Sequence, residues 1–469
     1  ITVINLKKCL GMEDDGQEGL FIITNFNKLD VAFHVDQVVG IHRVSWNEII
    51  KPDSTINGED GSVATGVIKM DGKLVVILDF EAIVSSISPE TGLRVNDIEQ
   101  IGERSRSEDP ILIAEDSPLL SSLITDCLKK AGYDVIGVTM QIWQDEAETV
   151  QEENGGCCGL SAVDDARRVA QVLDIPYYVM NFKKEFRENV MDYFTNEYLC
   201  GRTPNPCIAC NRYVKWEALL QRSLSIGADY IATGHYARIE QLANGRYAIA
   251  NSVTAAKDQT YALYNLTQEQ LSHTLMPVGD YTKDQIREIA AKIGLPVAKK
   301  KDSQEICFVP DQDYASFIQN ETGIVAPKGN FVNTKGEILG THEGITHYTV
   351  GQRRGLGLPM GHRVFVLEIR PETNEVVVGE NEEVFAKVVK ANKVNYMAIP
   401  PLELGEELSC TAKIRYGHKG SPCVIKRTGE DEITCTFPDG VRAPTPGQAV
   451  VFYVDGCVGG GGTITEAER

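Results

Sequence analysis

Apolar and polar positions alternate in short runs over residues 1 to about 100, as in Leu20-Phe21-Ile22-Ile23-Thr24, Val31-Ala32-Phe33-His34-Val35 and Lys73-Leu74-Val75-Val76-Ile77-Leu78. Asp, Asn and Gly separate the runs, so this part reads as a small β-rich module. The charged stretch Glu103-Arg104-Ser105-Arg106-Ser107-Glu108-Asp109 follows as a linker. The pattern then changes to strands alternating with helices. Tyr133 to Met140 reads as a buried strand, Ala162 to Leu173 as a helix and Tyr177 to Met180 as a strand. Phe186 to Cys200 and Val214 to Ile226 read as helices, and Asp229 to Thr233 as a strand. That alternation predicts a parallel sheet with helices on both faces. Ligands of such sheets sit at the carboxyl ends of the strands, where Met140 and Gly234 lie. Past about Asp311 glycines multiply, and residues 364 to 464 are short strands ending in Val458-Gly459-Gly460-Gly461-Gly462-Thr463-Ile464, which predicts a small β-barrel. The expected fold is therefore multidomain: a β-rich module at 1–103, an α/β domain at 104–310, a small central domain at 311–363 and a C-terminal β-barrel at 364–469.

A chain of 469 residues exceeds what one core usually supports, which agrees with several domains. No apolar run approaches the roughly 18 residues of a membrane span, and no signal-peptide pattern opens the chain, so the sequence predicts a cytoplasmic protein. Ile1 in place of Met points to a missing start. The net charge of -20 argues against a nucleic-acid partner until it is divided along the chain. Residues 1–160 hold 12 Lys and Arg against 28 Asp and Glu, a net of -16, and the remainder carries only -4. The acid belongs mainly to the front of the chain.

Twelve cysteines without the dense spacing of a secreted scaffold suggest reduced thiols. Cys9, Cys127, Cys200, Cys410, Cys423, Cys435 and Cys457 stand among residues with no chemistry of their own. Cys157-Cys158, between glycines, reads either as a reactive pair or as an idle loop. Cys207 and Cys210 are different: two prolines fix the backbone ahead of them in Gly201-Arg202-Thr203-Pro204-Asn205-Pro206-Cys207-Ile208-Ala209-Cys210-Asn211. A third cysteine follows in Asp302-Ser303-Gln304-Glu305-Ile306-Cys307, entered through Lys299-Lys300-Lys301. Spacing alone allows a structural zinc site, a redox pair or a reactive thiol site. A zinc site would want a fourth ligand, and none stands at short spacing.

Further motifs follow in order: Ala232-Thr233-Gly234-His235-Tyr236-Ala237-Arg238, Lys257-Asp258-Gln259-Thr260-Tyr261, His347-Tyr348-Thr349-Val350-Gly351-Gln352-Arg353-Arg354-Gly355, Lys413-Ile414-Arg415-Tyr416 and Pro446-Gly447-Gln448-Ala449. Together with the cysteine blocks they closely resemble the tRNA-specific 2-thiouridylase family, from about Leu128 to Ile464. The resemblance implies a Rossmann-like PP-loop-type domain and ATP-dependent 2-thiolation of the tRNA wobble uridine, with ATP and Mg²⁺ as cofactors. It implies tRNA as substrate, with a cysteine desulfurase and sulfur-relay proteins as partners. In this family Cys307 would carry a persulfide, with Cys210 as partner nucleophile in disulfide with it. Lys299, Lys300 and Lys301 would help to lower the thiol pKa. Met140 and Gly234 would line the adenine, and Asn205, Pro206 and Cys207 would face the target base. His235, Lys257, Asp258, Gln259, Arg415, Tyr416 and Gln448 would contact tRNA. The commoner family pattern has Asp where this chain has Cys207, so a [4Fe-4S] cluster on Cys207, Cys210 and Cys307 stands as a second reading of the thiols.

The family's Ser-Gly-Gly-Val-Asp-Ser-Ser phosphate loop should fall on Asp116-Ser117-Pro118-Leu119-Leu120-Ser121-Ser122, where only Ser121 and Ser122 match. Both glycines are replaced, and Pro118 removes a backbone donor where phosphates would dock, so weak ATP binding is expected. In front, Val38 to Trp46, Thr65 to Lys69, Ile77 to Glu81 and Ile87 to Leu93 resemble the later part of a chemotaxis coupling domain of the CheW type. Ile111-Leu112-Ile113-Ala114-Glu115-Asp116-Ser117-Pro118 resembles the start of a response-regulator receiver, the order found in CheV-type coupling proteins. That resemblance implies a chemotaxis receptor or kinase as a further partner. The order suits a recombined reading frame or a natural fusion. It also leaves a non-catalytic coupling or tRNA-binding protein as the alternative function.

Overall fold

The structure, a computed structural model, describes residues 2–9, 19–26, 29–40, 64–70, 72–78, 83, 110–114, 124, 128–129, 132–143, 160–254, 258–292, 306–309 and 311–469. It divides into two compact units, Ile1–Ile98 and Glu99–Arg469.

In the first unit, Leu29–Val35 is the middle strand of a three-stranded sheet. It runs parallel to Thr2–Asn5 and antiparallel to Leu20–Phe26. Ala64–Met70 and Lys73–Leu78 form a separate hairpin that turns through Gly72 at φ 77°. Ile4, Val31, Phe33 and Ile83 form the buried cluster of this unit. The edge strand is different: Phe21 is 57% and Ile23 65% exposed. Alternation predicted strands here, and strands form.

The second unit opens on the parallel sheet that the strand and helix alternation predicts. Its spatial order is Thr274–Leu275, Tyr230–Ala232, Pro110–Ala114, Asp134–Gln141, Tyr177–Asn181, and every neighbouring pair is parallel. The receiver-like strand of the sequence reading is thus the middle strand of this sheet, with the strands ending at Gln141 and Ala232 on its two sides. The helix Leu160–Val172 packs Val169 and Ala170 inward and turns Asp164 and Arg167 outward, the amphipathic pattern of a helix on a sheet. Two further helical stretches contain π-turns: Arg187–Met191 between Lys183–Phe186 and Asp192–Leu199, and Cys210–Leu219 between Pro206–Ala209 and Leu220–Ser225. The sequence reading started the second of these helices at Val214. It starts at Pro206, because Asn205 caps it and Pro206 occupies its first position.

A four-stranded sheet follows in the order Ile338–His342, Gly329–Val332, Glu375–Gly379, Phe365–Arg370, around Phe331, Val366 and Val376. The C-terminal strands close into a six-stranded barrel. Phe385–Tyr396 pairs with Glu432–Arg442, then Ser421–Gly429, Glu407–Lys413, Ala449–Val454 and Cys457–Glu468, and the last pairs back with the first. Closure leaves no sheet edge within the ring. The hairpin Ala237–Gln241 and Tyr247–Asn251 joins it through Ala250 and Cys457. Glycines 459–462 let that strand lie close to its neighbours. A Cβ on Gly461 would stand 2.6 Å from the Tyr264 ring, and one on Gly459 2.9 Å from the Phe452 ring.

Among the described residues no helix is long and apolar enough to cross a membrane.

Candidate active site

Asn205 takes an extended backbone, and its Oδ1 accepts from the Ile208 N–H at 3.2 Å. Pro206 follows at the first helical position, where a missing N–H removes nothing from the helix. These two residues therefore set where the helix carrying both cysteines begins. Cys207 is exposed on its first turn, and Cys210, half-buried, opens the π-helical stretch Cys210–Leu219. Single π-turns are rare and often mark functional positions. Trp216 anchors the same stretch from inside, donating through Nε1 to Thr274 Oγ1 at 2.8 Å.

Cys307 lies in the turn Ile306-Cys307-Phe308-Val309, closed by the Val309 N–H on the Ile306 carbonyl at 2.9 Å. Phe308 is buried edge-on against Phe186 and Phe194, with ring centroids 5.7 and 5.3 Å apart. That anchor brings Cys307 to the core cluster that Cys210 also borders. Cys210 and Cys307 thus both pack, half-buried, against the same core cluster. Lys299, Lys300, Lys301, Ser303, Gln304 and Glu305 lie outside the described residues, as do Cys157 and Cys158.

Nothing in this arrangement shows the cluster reading. Cys207 is exposed while Cys210 and Cys307 border the core, and among the described residues no three His, Cys, Asp or Glu are gathered to hold a metal ion.

Met140 is half-buried near the end of Asp134–Gln141, and Gly234 is buried just past Tyr230–Ala232. Both stand at the carboxyl edge of the parallel sheet, on the two strands that flank Pro110–Ala114. Open α/β sheets hold their ligands at this edge. Ser121 and Ser122, with the loop 116–122, lie outside the described residues.

The residues assigned by resemblance to tRNA contact divide into two groups. Arg415 and Tyr416 are exposed on the turn after Glu407–Lys413. Burial pushes the Tyr416 hydroxyl above its ordinary value of 10, and the charges of Asp258 and Cys207 add to the rise, so these three side chains share one neighbourhood. Asp258 is nearly buried, accepts from the Thr260 N–H at 3.1 Å and stands 3.9 Å from Lys413 Nζ.

His235, Gln259 and Gln448 make hydrogen bonds within the protein. His235 Nδ1 is 2.8 Å from Thr233 Oγ1, and its ring packs 5.4 Å from Trp216. Gln259 Oε1 accepts from the Tyr236 N–H at 2.8 Å. Gln448 Nε2 donates to the Thr203 and Pro204 carbonyls at 3.1 Å each. Lys257 lies outside the described residues.

A cavity of about 200 Å³ adjoins the cysteine helix, lined among others by Asn205, Ala209, Arg212, Asn265 and Lys393. Arg353 and Arg363 line a second, larger hollow of about 530 Å³ in the central domain, beside turn glycines 355 and 357.

Residues 111–311 match the family model described as tRNA methyl transferase HUP domain, 315–380 the tRNA methyl transferase PRC-barrel domain and 386–464 the aminomethyltransferase beta-barrel domain. Residues 1–88 match the CheW-like domain. The chain is 69% identical over 344 residues to the tRNA-specific 2-thiouridylase MnmA of Lachnoclostridium phytofermentans, an alignment covering 73% of this chain and 96% of that protein. It is 52% identical over 358 residues to that of Clostridioides difficile, covering 76% of this chain and 98% of the relative. With that of Clostridium perfringens it shares 55% over 344 residues, covering 73% and 95%.

Proposed function

Because the chain belongs to the tRNA-specific 2-thiouridylase family behind a CheW-like N-terminal domain, we propose that it transfers sulfur to C2 of a tRNA uridine at Cys210 and Cys307. The observation that supports this reading is that Cys210 and Cys307, distant in sequence, both pack half-buried against the same core cluster. A uracil oxygen leaves readily only after activation, and ATP supplies that by adenylating O2. Met140 and Gly234, at the carboxyl edge of the parallel sheet, would line the adenine. Cys307 holds the incoming sulfur as a persulfide whose terminal sulfur bonds to C2, while the C2–O bond breaks and the adenylate departs. The Cys210 thiolate then bonds to the Cys307 sulfur, the persulfide S–S bond breaks, and the transferred sulfur stays on the base as the thiocarbonyl. The products are 2-thiouridine, AMP, the pyrophosphate released on adenylation and a Cys210–Cys307 disulfide, which a thiol reductant reopens.

Arg415 and Tyr416 are exposed, with Tyr416 within electrostatic reach of Cys207, and suit a phosphate contact and a base stack. A cysteine desulfurase and its relay proteins would charge Cys307. Purified full-length chain incubated with unmodified tRNA, ATP, Mg²⁺, a thiol reductant and a cysteine desulfurase with cysteine, which delivers sulfane sulfur, is expected to yield 2-thiouridine and AMP. No thiouridine from soluble protein would overturn the reading.

The CheW-like match at 1–88, with the exposed apolar side chains of Phe21 and Ile23, supports a second role in docking a chemotaxis receptor or kinase. A pull-down of such a receptor or kinase that Phe21→Asp abolishes would support it. Equal capture by wild type and variant would not.

A further inference from the structure

We infer that Gln448 is a positioning residue for the cysteine helix, acting through the Thr203-Pro204 turn rather than by touching RNA. The inference rests on the proposed function only for the role given to Cys210.

The turn has a hydrogen-bonding deficit written into its sequence. In Thr203-Pro204-Asn205-Pro206 two of four residues have no N–H. The Thr203 N–H is committed outward, to the Pro446 carbonyl at 2.9 Å. Thr203 and Pro204 are both buried, so their carbonyls need donors brought from elsewhere. The side-chain amide of Gln448 donates to both, 245 and 244 residues away in sequence.

Gln448 is itself held firmly. Its N–H donates to Thr445 O at 3.1 Å, and its carbonyl accepts from the Ile464 N–H at 2.7 Å on the glycine-rich barrel strand. Gly447, beside it, donates to Ile464 O at 2.9 Å with φ 92°. A Cβ on Gly447 would stand 2.9 to 3.0 Å from the backbone of Thr203, so only glycine lets the barrel loop come this close. The barrel loop 445–448 therefore grips the turn from both sides.

Asn205, the helix cap, follows the gripped pair directly, and Cys207 and Cys210 come two and five residues after it. The grip thus sets the start and direction of the helix that presents both thiols. A group holding a nucleophile in place changes turnover more than substrate affinity.

The test uses the full-length chain with Gln448→Glu, which keeps the size but removes both donors, and Gln448→Met, which keeps the volume without the carboxylate's charge. Three readouts are compared with wild type: peptide-resolved iodoacetamide labelling of Cys207 and Cys210 without RNA, tRNA dissociation constant, and kcat against KM for thiolation. The inference expects labelling rates changed about threefold or more, kcat down about tenfold, and tRNA affinity within about twofold. Tenfold weaker tRNA binding with unchanged labelling would overturn it and make Gln448 an RNA contact. Wild-type behaviour in all three would overturn it too. The labelling readout needs no turnover, so an inactive wild type would refute the thiouridylase reading while leaving this inference decided.

Discussion

The Tyr261 hydroxyl exchanges two hydrogen bonds with Ala449, donating to its carbonyl at 2.9 Å and accepting from its N–H at 3.2 Å. Burial pushes this phenol well above its ordinary value of 10, so it stays neutral and able to do both. The pair fastens the Thr260–Leu263 turn, next to Asp258 and Gln259, onto the barrel strand Ala449–Val454. Tyr261→Phe leaves a buried N–H and a buried carbonyl without this partner. Each such loss costs about 1 to 3 kcal/mol. The variant is expected to unfold at a lower denaturant midpoint with an unchanged m-value, and an unchanged midpoint would refute the assignment.

Asn205→Ala removes the cap of the cysteine helix. Cap losses cost about 0.5 to 2 kcal/mol. Here the fraying would fall on Cys207 and Cys210, so faster labelling of both cysteines should accompany the lower stability. Asn205→Asp, which keeps an acceptor, should recover most of both.

Cys207→Asp separates the two thiol chemistries. With sulfur carried on Cys307 and resolved by Cys210, the variant should keep thiolation within about threefold, while Cys210→Ser and Cys307→Ser should each lose it. A loss at Cys207 as complete as at the other two would restore a three-cysteine cluster.

His418 gives the turn of Arg415 and Tyr416 a pH dependence. Burial lowers its pKa from the ordinary 6.5, and Arg415 and Lys413 lower it further; its Nδ1 accepts from the Ile414 N–H at 3.3 Å, which requires that nitrogen unprotonated. The folded state therefore binds the proton more weakly than the unfolded chain. The contribution is complete above about pH 6.5 and is lost as pH falls through the lower folded value. Melting temperature should drop more steeply below pH 6.5 in wild type than in His418→Gln, whose amide does not titrate. Parallel curves would contradict this.

Much of the parallel sheet was legible because period and length agree there: buried strands ending at Met140 and near Gly234 alternate with helices, and the physics of the sheet edge places both residues. The start of the cysteine helix was legible as well, through Asn205 and Pro206, a capping residue followed by proline. The sequence reading took those prolines as rigid backbone and began the helix eight residues late. The hairpin Ala237–Gln241 and Tyr247–Asn251 was missed because each of its strands is only five residues long. The roles of Gln448 and Gln259 could not be read at all. A glutamine amide carries no local pattern, and the partners of Gln448 stand 244 and 245 residues away. The departure of Cys207 from the family's Asp raised a three-thiol ligand set, and the fold leaves Cys207 exposed with Cys210 and Cys307 half-buried.

The central claim is sulfur transfer to tRNA at Cys210 and Cys307, and nucleoside mass spectrometry tests it most directly. Total tRNA would be taken from a thiouridylase-deficient bacterial strain expressing the full chain, with Cys307→Ala alongside. The account predicts 2-thiouridine derivatives with the wild-type chain and none with Cys307→Ala. No thiolated uridine from a soluble, expressed wild-type chain, or equal amounts from both, would contradict it.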